Sequence, residues 1–241
     1  MKGVDILGTE SKIKPLASKI YKPEILVCPK CKSGLKYKYT VSNKVVQFTS
    51  GKYFRIKNLG YSCPNCNDSN VYISQTANKL SFKGYTYSSK IICMIDYYKL
   101  HHMGREGICD ILTSKGIEIS DRNIDILYRK FKALFNMDYN ENILNAYKDM
   151  IDEFKEIRLS IDFITINELR YVIIYNYFNG ELLAIWRFEG LQDPELKNKL
   201  SKYLSNNKIT LIASVRGISK FLPILKSIAP EKTKFIPYMK F

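Results

Sequence analysis

The sequence predicts an α+β chain of several domains, and three observations carry that prediction. Two matched pairs of cysteines sit in a lysine-rich N-terminal segment, the periodicity turns helical from Ser88 to Phe135, and strands and helices follow Arg158 in the order βββαβαβ. At 241 residues the chain is long enough for more than one hydrophobic core. The boundaries fall into a basic segment 1–87, a three-helix segment 88–135, a linking helix within 136–157 and a mixed-sheet α/β segment 158–241.

Charge is distributed as unevenly as the periodicity. The formal net charge is +15, and residues 1–135 hold 23 of the 38 basic residues but only 10 of the 23 acidic ones. A basic half joined to a nearly neutral half argues for a polyanionic partner met by the N-terminal region, because releasing counterions from a phosphate backbone drives binding by such surfaces. The competing reading, a lysine-rich composition without a partner, does not account for a skew within one chain.

Within the basic segment, Cys28-Pro29-Lys30-Cys31 and Cys63-Pro64-Asn65-Cys66 repeat one C-x-x-C spacing with proline after the first cysteine. Such a turn aims two thiolates at one point while backbone N–H groups donate to the sulfurs. Two of them complete a closed tetrahedral site for a structural Zn2+. The 31 residues between the pairs contain three alternating stretches, Leu35–Tyr39, Val45–Thr49 and Tyr53–Ile56, separated by Ser42-Asn43 and Ser50-Gly51. They predict the β-hairpins of a zinc ribbon. Lys36, Lys38, Lys52, Arg55 and Lys57 mark a phosphate track, and strand alternation assigns Tyr37 and Tyr39 to the opposite, core-facing side. Cys93 and Cys109 lie in apolar helical patterns and read as small buried residues. His101 and His102 follow a helix and have no partner at ligand spacing, so a helix-end role is expected.

The next segment divides into three helices. Ser89–Leu100 presents Ile91, Ile92, Ile95 and Tyr98 along one side, and Arg105–Thr113 carries Ile108, Ile111 and Leu112 before Gly116 stops it. Ser120 is a good N-cap for Asp121–Phe135, whose stripe Ile124, Leu127, Phe131 and Leu134 faces inward. This is the size and order of a helix-turn-helix. The helix after the turn then enters the major groove, which assigns Arg122 and Asn123 to base edges and Arg129 and Lys130 to phosphates. The alternative is a plain three-helix module whose charges are merely solvated.

After an amphipathic helix at Asn142–Ile157, three strands follow: Arg158–Ile166, Leu169–Tyr177 and Glu181–Phe188. The second and third are joined by the hairpin signal Phe178-Asn179-Gly180. A helix at Pro194–Ser205, a strand at Ile209–Val215, a helix at Ile218–Ile228 and a strand at Thr233–Tyr238 complete an order found in the ribonuclease H core.

Paired C-x-x-C turns, a helix-turn-helix and Leu159-Ser160-Ile161-Asp162 opening a βββαβαβ series together resemble bacterial and archaeal DDE transposases over nearly the whole chain. The resemblance implies double-stranded DNA as partner, in the form of transposon ends, and a homodimer. It also implies Asp162 as the first catalytic carboxylate. The position of the family's second carboxylate falls in Ile212-Ala213-Ser214-Val215-Arg216-Gly217, which has none, and the chain reaches Phe241 before the helix that would bring the third. Two Mg2+ ions held for in-line attack on phosphate need several converging carboxylates, so Asp162 alone does not supply the site. The expectation is a DNA-binding relative without strand transfer. The alternatives are an active transposase or nuclease fragment that uses Asp162 with Mg2+, and an RNA-binding zinc ribbon. No stretch approaches the roughly 20 apolar residues of a membrane span, and the N-terminus lacks the apolar run of a signal peptide, so a cytoplasmic, nucleoid-associated protein is expected.

Overall fold

A computed structural model describes residues 15–48, 51–66, 70–78, 80–81, 83–135, 141–190, 193–214 and 218–237. In the N-terminal part, β1 (Ser18–Tyr21), β2 (Lys36–Gln47) and β3 (Tyr53–Ser62) form a sheet ordered β1-β3-β2, with β1 parallel and β2 antiparallel to β3. The expected break at Ser42-Asn43 is absent, since Ser42 and Asn43 pair with Asn58 and Lys57 inside one continuous strand. Register shifts at Tyr37/Tyr39 and Thr40/Ser42 bend β2 without ending it, as bulges do.

Those shifts also correct the expected alternation. Tyr37 is 56% exposed and Tyr39 46%, so neither is a core residue: the irregularity at Lys38 turns them to opposite faces, and β2 is exposed on both faces from Lys36 to Val41. One face of this sheet is closed by a short helix, α1 (Gln75–Asn78), over Val46, Phe48, Ile56 and Ala77. Gly60 lies at a close approach on that side, where a Cβ would come within 2.7 Å of both Val41 and Val71.

Three helices follow, α2 (Ser89–Leu100), α3 (Arg105–Ser114) and α4 (Asp121–Phe135), close to the bounds expected from caps and stripes. Gly116, at φ 77°, ends α3, and the Ser120 hydroxyl accepts from Asn123 N–H at 3.3 Å to open α4. Beyond α5 (Glu141–Phe154) lies a five-stranded mixed sheet of β4 (Ile157–Ile166), β5 (Leu169–Asn176), β6 (Leu182–Phe188), β7 (Ile209–Ser214) and β8 (Lys234–Pro237), ordered β6-β5-β4-β7-β8. β5 is antiparallel to β4 and β6, whereas β7 and β8 run parallel with β4.

Alternation along β4 gives this sheet two apolar faces. Leu159, Ile161 and Phe163 enter a core shared with α5, α6 (Pro194–Leu204) and α7 (Ile218–Ile228). Ile164 and Ile166, with Tyr171, Ile173 and Ile185, enter a second core with Ile91, Ile95, Ile108, Leu112, Ile124 and Phe131 of α2–α4. The three helices therefore share a core with the sheet. Among the described residues no helix is long and apolar enough to cross a membrane.

Candidate metal centre and cationic helix face

Cys28 and Cys31 lie on a tight turn between Val27 and Gly34, which bridge antiparallel, while Cys63 and Cys66 follow the end of β3. Cys28 N–H donates to Ser33 C=O at 2.8 Å, and Lys32 takes a left-handed φ of 62° to close the turn. The four sulfurs lie within 4.8 Å of one another, with Cys28 Sγ to Cys66 Sγ at 3.8 Å and Cys31 Sγ to Cys63 Sγ at 3.3 Å. A tetrahedral ion about 2.3 Å from each sulfur separates sulfurs by about 3.8 Å, so the set fits a metal ion such as zinc.

The electrostatics of the turns agree with that use. The backbone N–H of Cys31 holds the Cys28 thiol below its ordinary range, with help from the N–H of Lys30. The Ser33 hydroxyl and N–H bring Cys31 down to about 6. Burial pushes Cys63 up, and Cys66 is raised chiefly by its contacts with Cys31 and Cys63. Four thiols this close compete for protons, and a cation is what allows all four to be thiolates together. Cys93 is fully buried as expected, whereas Cys109 is half-buried and directs its thiol to the Ile119 carbonyl at 2.9 Å. His101 pairs with Glu168 at 2.9 Å just past the end of α2.

The expected basic positions divide into two groups. Lys36, Lys38 and Lys52 are exposed on the first sheet, Lys57 is half-buried, and Arg55 is engaged by Glu118 at 2.9 Å. On α4, Arg122, Asn123, Arg129 and Lys130 are all exposed, and spacings of seven residues align Arg122 with Arg129 and Asn123 with Lys130. The acids of α4 point elsewhere. Asp125 pairs with Lys99 of α2 at 2.8 Å and Arg105 of α3 at 3.7 Å, and Asp121 pairs with Arg105 at 3.2 Å. The Lys99 ammonium beside Asp125 lowers its carboxyl pKa. Helix packing thus sorts the charges of α4, which leaves its outward face cationic.

Asp162 lies in the middle of β4, 3% exposed, on the face covered by α2, where the Ser89 hydroxyl donates to it at 3.4 Å. Of the two strands beside β4, the parallel one is β7, and its Ile209–Ser214 stretch carries no carboxylate. Arg216 lies outside the described residues. Among the described residues the cysteine cluster is the one group of three or more His, Cys, Asp or Glu whose ligand atoms converge. A cavity of about 860 Å³ between β2, α5 and the β5–β6 turn sets Lys44, Lys83 and Arg158 against Asp149, Glu153 and Glu181, a balance that does not suit a polyanion.

Sequence reasoning missed a buried anchor. Asp96 of α2, 1% exposed, accepts from Arg187 Nε at 3.1 Å and Nη2 at 2.9 Å and from the Tyr171 hydroxyl at 2.8 Å, joining α2 to β5 and β6. Its signal was an acid within the apolar pattern of Ser89–Leu100. Comparison with models of known protein families gives no match, and comparison with curated proteins gives none either.

Proposed function

We propose that this chain is a DNA-binding protein of the transposase type, in which a zinc ribbon and a helix-turn-helix contact duplex DNA and a ribonuclease-H-like sheet acts as scaffold. The observation that carries the reading is the sorted charge of α4. Its acids are taken up by Lys99 and Arg105, so Arg122, Asn123, Arg129 and Lys130 face solvent together. A groove-reading helix needs that arrangement, and the pairing of its acids with the neighbouring helices supplies it. The order β6-β5-β4-β7-β8 supports the ribonuclease-H-like part, and the cysteine cluster supports Zn2+ as the ion that folds the ribbon. The six-residue turn Lys115–Ser120 is longer than the roughly three or four residues of the shortest such motifs.

The same reading assigns no strand transfer to these residues. Asp162 is 3% exposed beneath α2, and no group of three His, Cys, Asp or Glu with converging ligand atoms includes it among the described residues, which does not favour a two-metal site.

The test is binding to duplex DNA across a salt series. Arg129→Ala/Lys130→Ala should weaken binding to all sequences and reduce the slope of log K against log salt by about two. Arg122→Ala should cost about 1–3 kcal/mol on a selected site and relax its sequence preference. Unchanged duplex affinity in all of these folded variants would overturn the reading.

A further inference from the structure

We propose that the open face of the three-stranded sheet binds single-stranded DNA beside the duplex held by α4. This rests on the duplex reading above and extends it to a second form of the same polymer. Register places Tyr37 opposite Tyr61, Thr40 opposite Leu59, and both Asn43 and Ile20 opposite Lys57, so these side chains share one face. The other face is closed at Ile56, Asn58 and Gly60, which are buried, and the open face is itself covered at Val45, opposite Arg55.

On the open face Ile20 is 61% exposed and Tyr37 56%, and the rings of Tyr37 and Tyr61 meet edge-on at 6.1 Å. Lys57 shares this face and Lys38 stands at the register shift next to Tyr37, whereas Lys36 pairs with Ser62 on the opposite face; none of the three forms an ion pair among the described residues. An exposed aromatic ring gains little from a B-form duplex, which presents phosphates and groove edges and keeps its base faces stacked inside. Unpaired bases offer those faces, and cations spaced around the rings suit the strand that carries them.

The location of the face fits the same occupant. Arg55, which shares this face, reaches Glu118 at 2.9 Å, and the Tyr87 hydroxyl donates to the Glu118 carbonyl at 2.8 Å. Glu118 lies three residues before the start of α4 at Asp121, so the sheet adjoins the helix end that carries Arg122 and Asn123. A strand leaving the end of a duplex on α4 would meet this face at Arg55 and follow β3 over Lys57 to Tyr61 and Tyr37.

The experiment uses the full, zinc-loaded chain and three probes: a blunt duplex of about 20 base pairs, the same duplex with about eight unpaired thymidines, and oligothymidine alone. The overhang should raise affinity about tenfold. Tyr37→Ala should remove that gain and leave the blunt duplex unchanged, and Tyr37→Phe should keep it. Zinc content and light scattering of each variant check that the ribbon is folded and its oligomeric state constant. In Tyr37→Trp, oligothymidine should quench the new fluorescence over that of the buried Trp186.

No gain from the overhang overturns the proposal. So do equal losses on blunt and overhung duplexes, tighter binding of oligouridine than oligothymidine, or a change of oligomeric state with Tyr37→Ala that marks a second copy as the occupant. If oligothymidine binds through Tyr37 while the blunt duplex does not bind at all, the open face stands and the duplex reading alone fails.

Discussion

The two ends of the molecule are held by different physics. Around the cysteine cluster the buried apolar side chains are Cys28, Leu35 and Cys63, with Tyr61 and Tyr72 packed at their edge, and the adjoining stretch of β2 from Lys36 to Val41 is exposed along its length. The five-stranded sheet is instead covered on both faces, by α5–α7 on one side and α2–α4 on the other. So small an apolar cluster buries too little area to offset the chain entropy of the loops around it. The comparison predicts that the cysteine end needs a bound ion to hold its fold, whereas the helix–sheet body is held by burial.

Removing the metal should separate the two most strongly. Exhaustive chelation, or Cys28→Ser with Cys63→Ser, should melt the knuckle end of the ribbon, because the metal's binding free energy is also its folding free energy. Amide hydrogen exchange should then show protection lost around Val27–Leu35 and Tyr61–Cys66 and retained in β4, β5 and α2. Loss of protection throughout the chain at once would show a single cooperative unit and break the comparison.

The body has its own weakest point. Asp96→Ala leaves the Arg187 guanidinium and the buried Tyr171 hydroxyl without their acceptor where α2 meets the sheet. Breaking a buried pair in this way should cost about 3 kcal/mol, read as a lower melting temperature of the helix–sheet body with zinc content unchanged. Burial, with the Asp96 carboxylate beside it, pushes the Tyr171 phenol well above its ordinary range, so the ring remains a neutral donor throughout the test. A variant that loses zinc and keeps its melting temperature would reverse the assignment of these groups.

What was legible in the sequence follows from the same division. Cysteine spacing in such turns is dictated by ligand chemistry, so the convergence of the four cysteines could be read directly, and caps with apolar stripes gave Ser89–Leu100 and Asp121–Phe135 to the residue. Alternation failed on β2, because a shift at Lys38 leaves no mark in composition. The charge sorting of α4 was half legible. Its outward cations could be listed, but the pairing of Asp121 and Asp125 with Lys99 and Arg105 depends on how three helices cross. Asp96 was illegible for a related reason, since Arg187 stands 91 residues away on another element.

The smallest expected effect lies between the two regions. The carboxylate of Glu24 accepts from the Ser74 hydroxyl at 2.7 Å and from the N–H groups of Thr76 and Gln75 at 3.0 and 3.2 Å, tying the chain before the first knuckle to the start of α1. Burial acts to raise its pKa, but the donors from Thr76, Ser74 and Gln75 together outweigh burial and bring it to about 2. A carboxyl depressed in the folded state contributes stability above its unfolded value near 4.5, and that contribution is lost as pH falls toward 2. Because the group is largely exposed, solvent screening reduces the contribution to about 1 kcal/mol. Glu24→Gln should therefore be less stable than the parent by that amount at pH 7 and equally at pH 5.5, and the two should converge at lower pH. The four cysteines and whatever they hold are common to both proteins, so the difference between their melting curves at each pH isolates the carboxylate. A gap that persists unchanged to pH 3 would mean that Glu24 acts through packing alone, and that α1 is held by its apolar contacts as the body is.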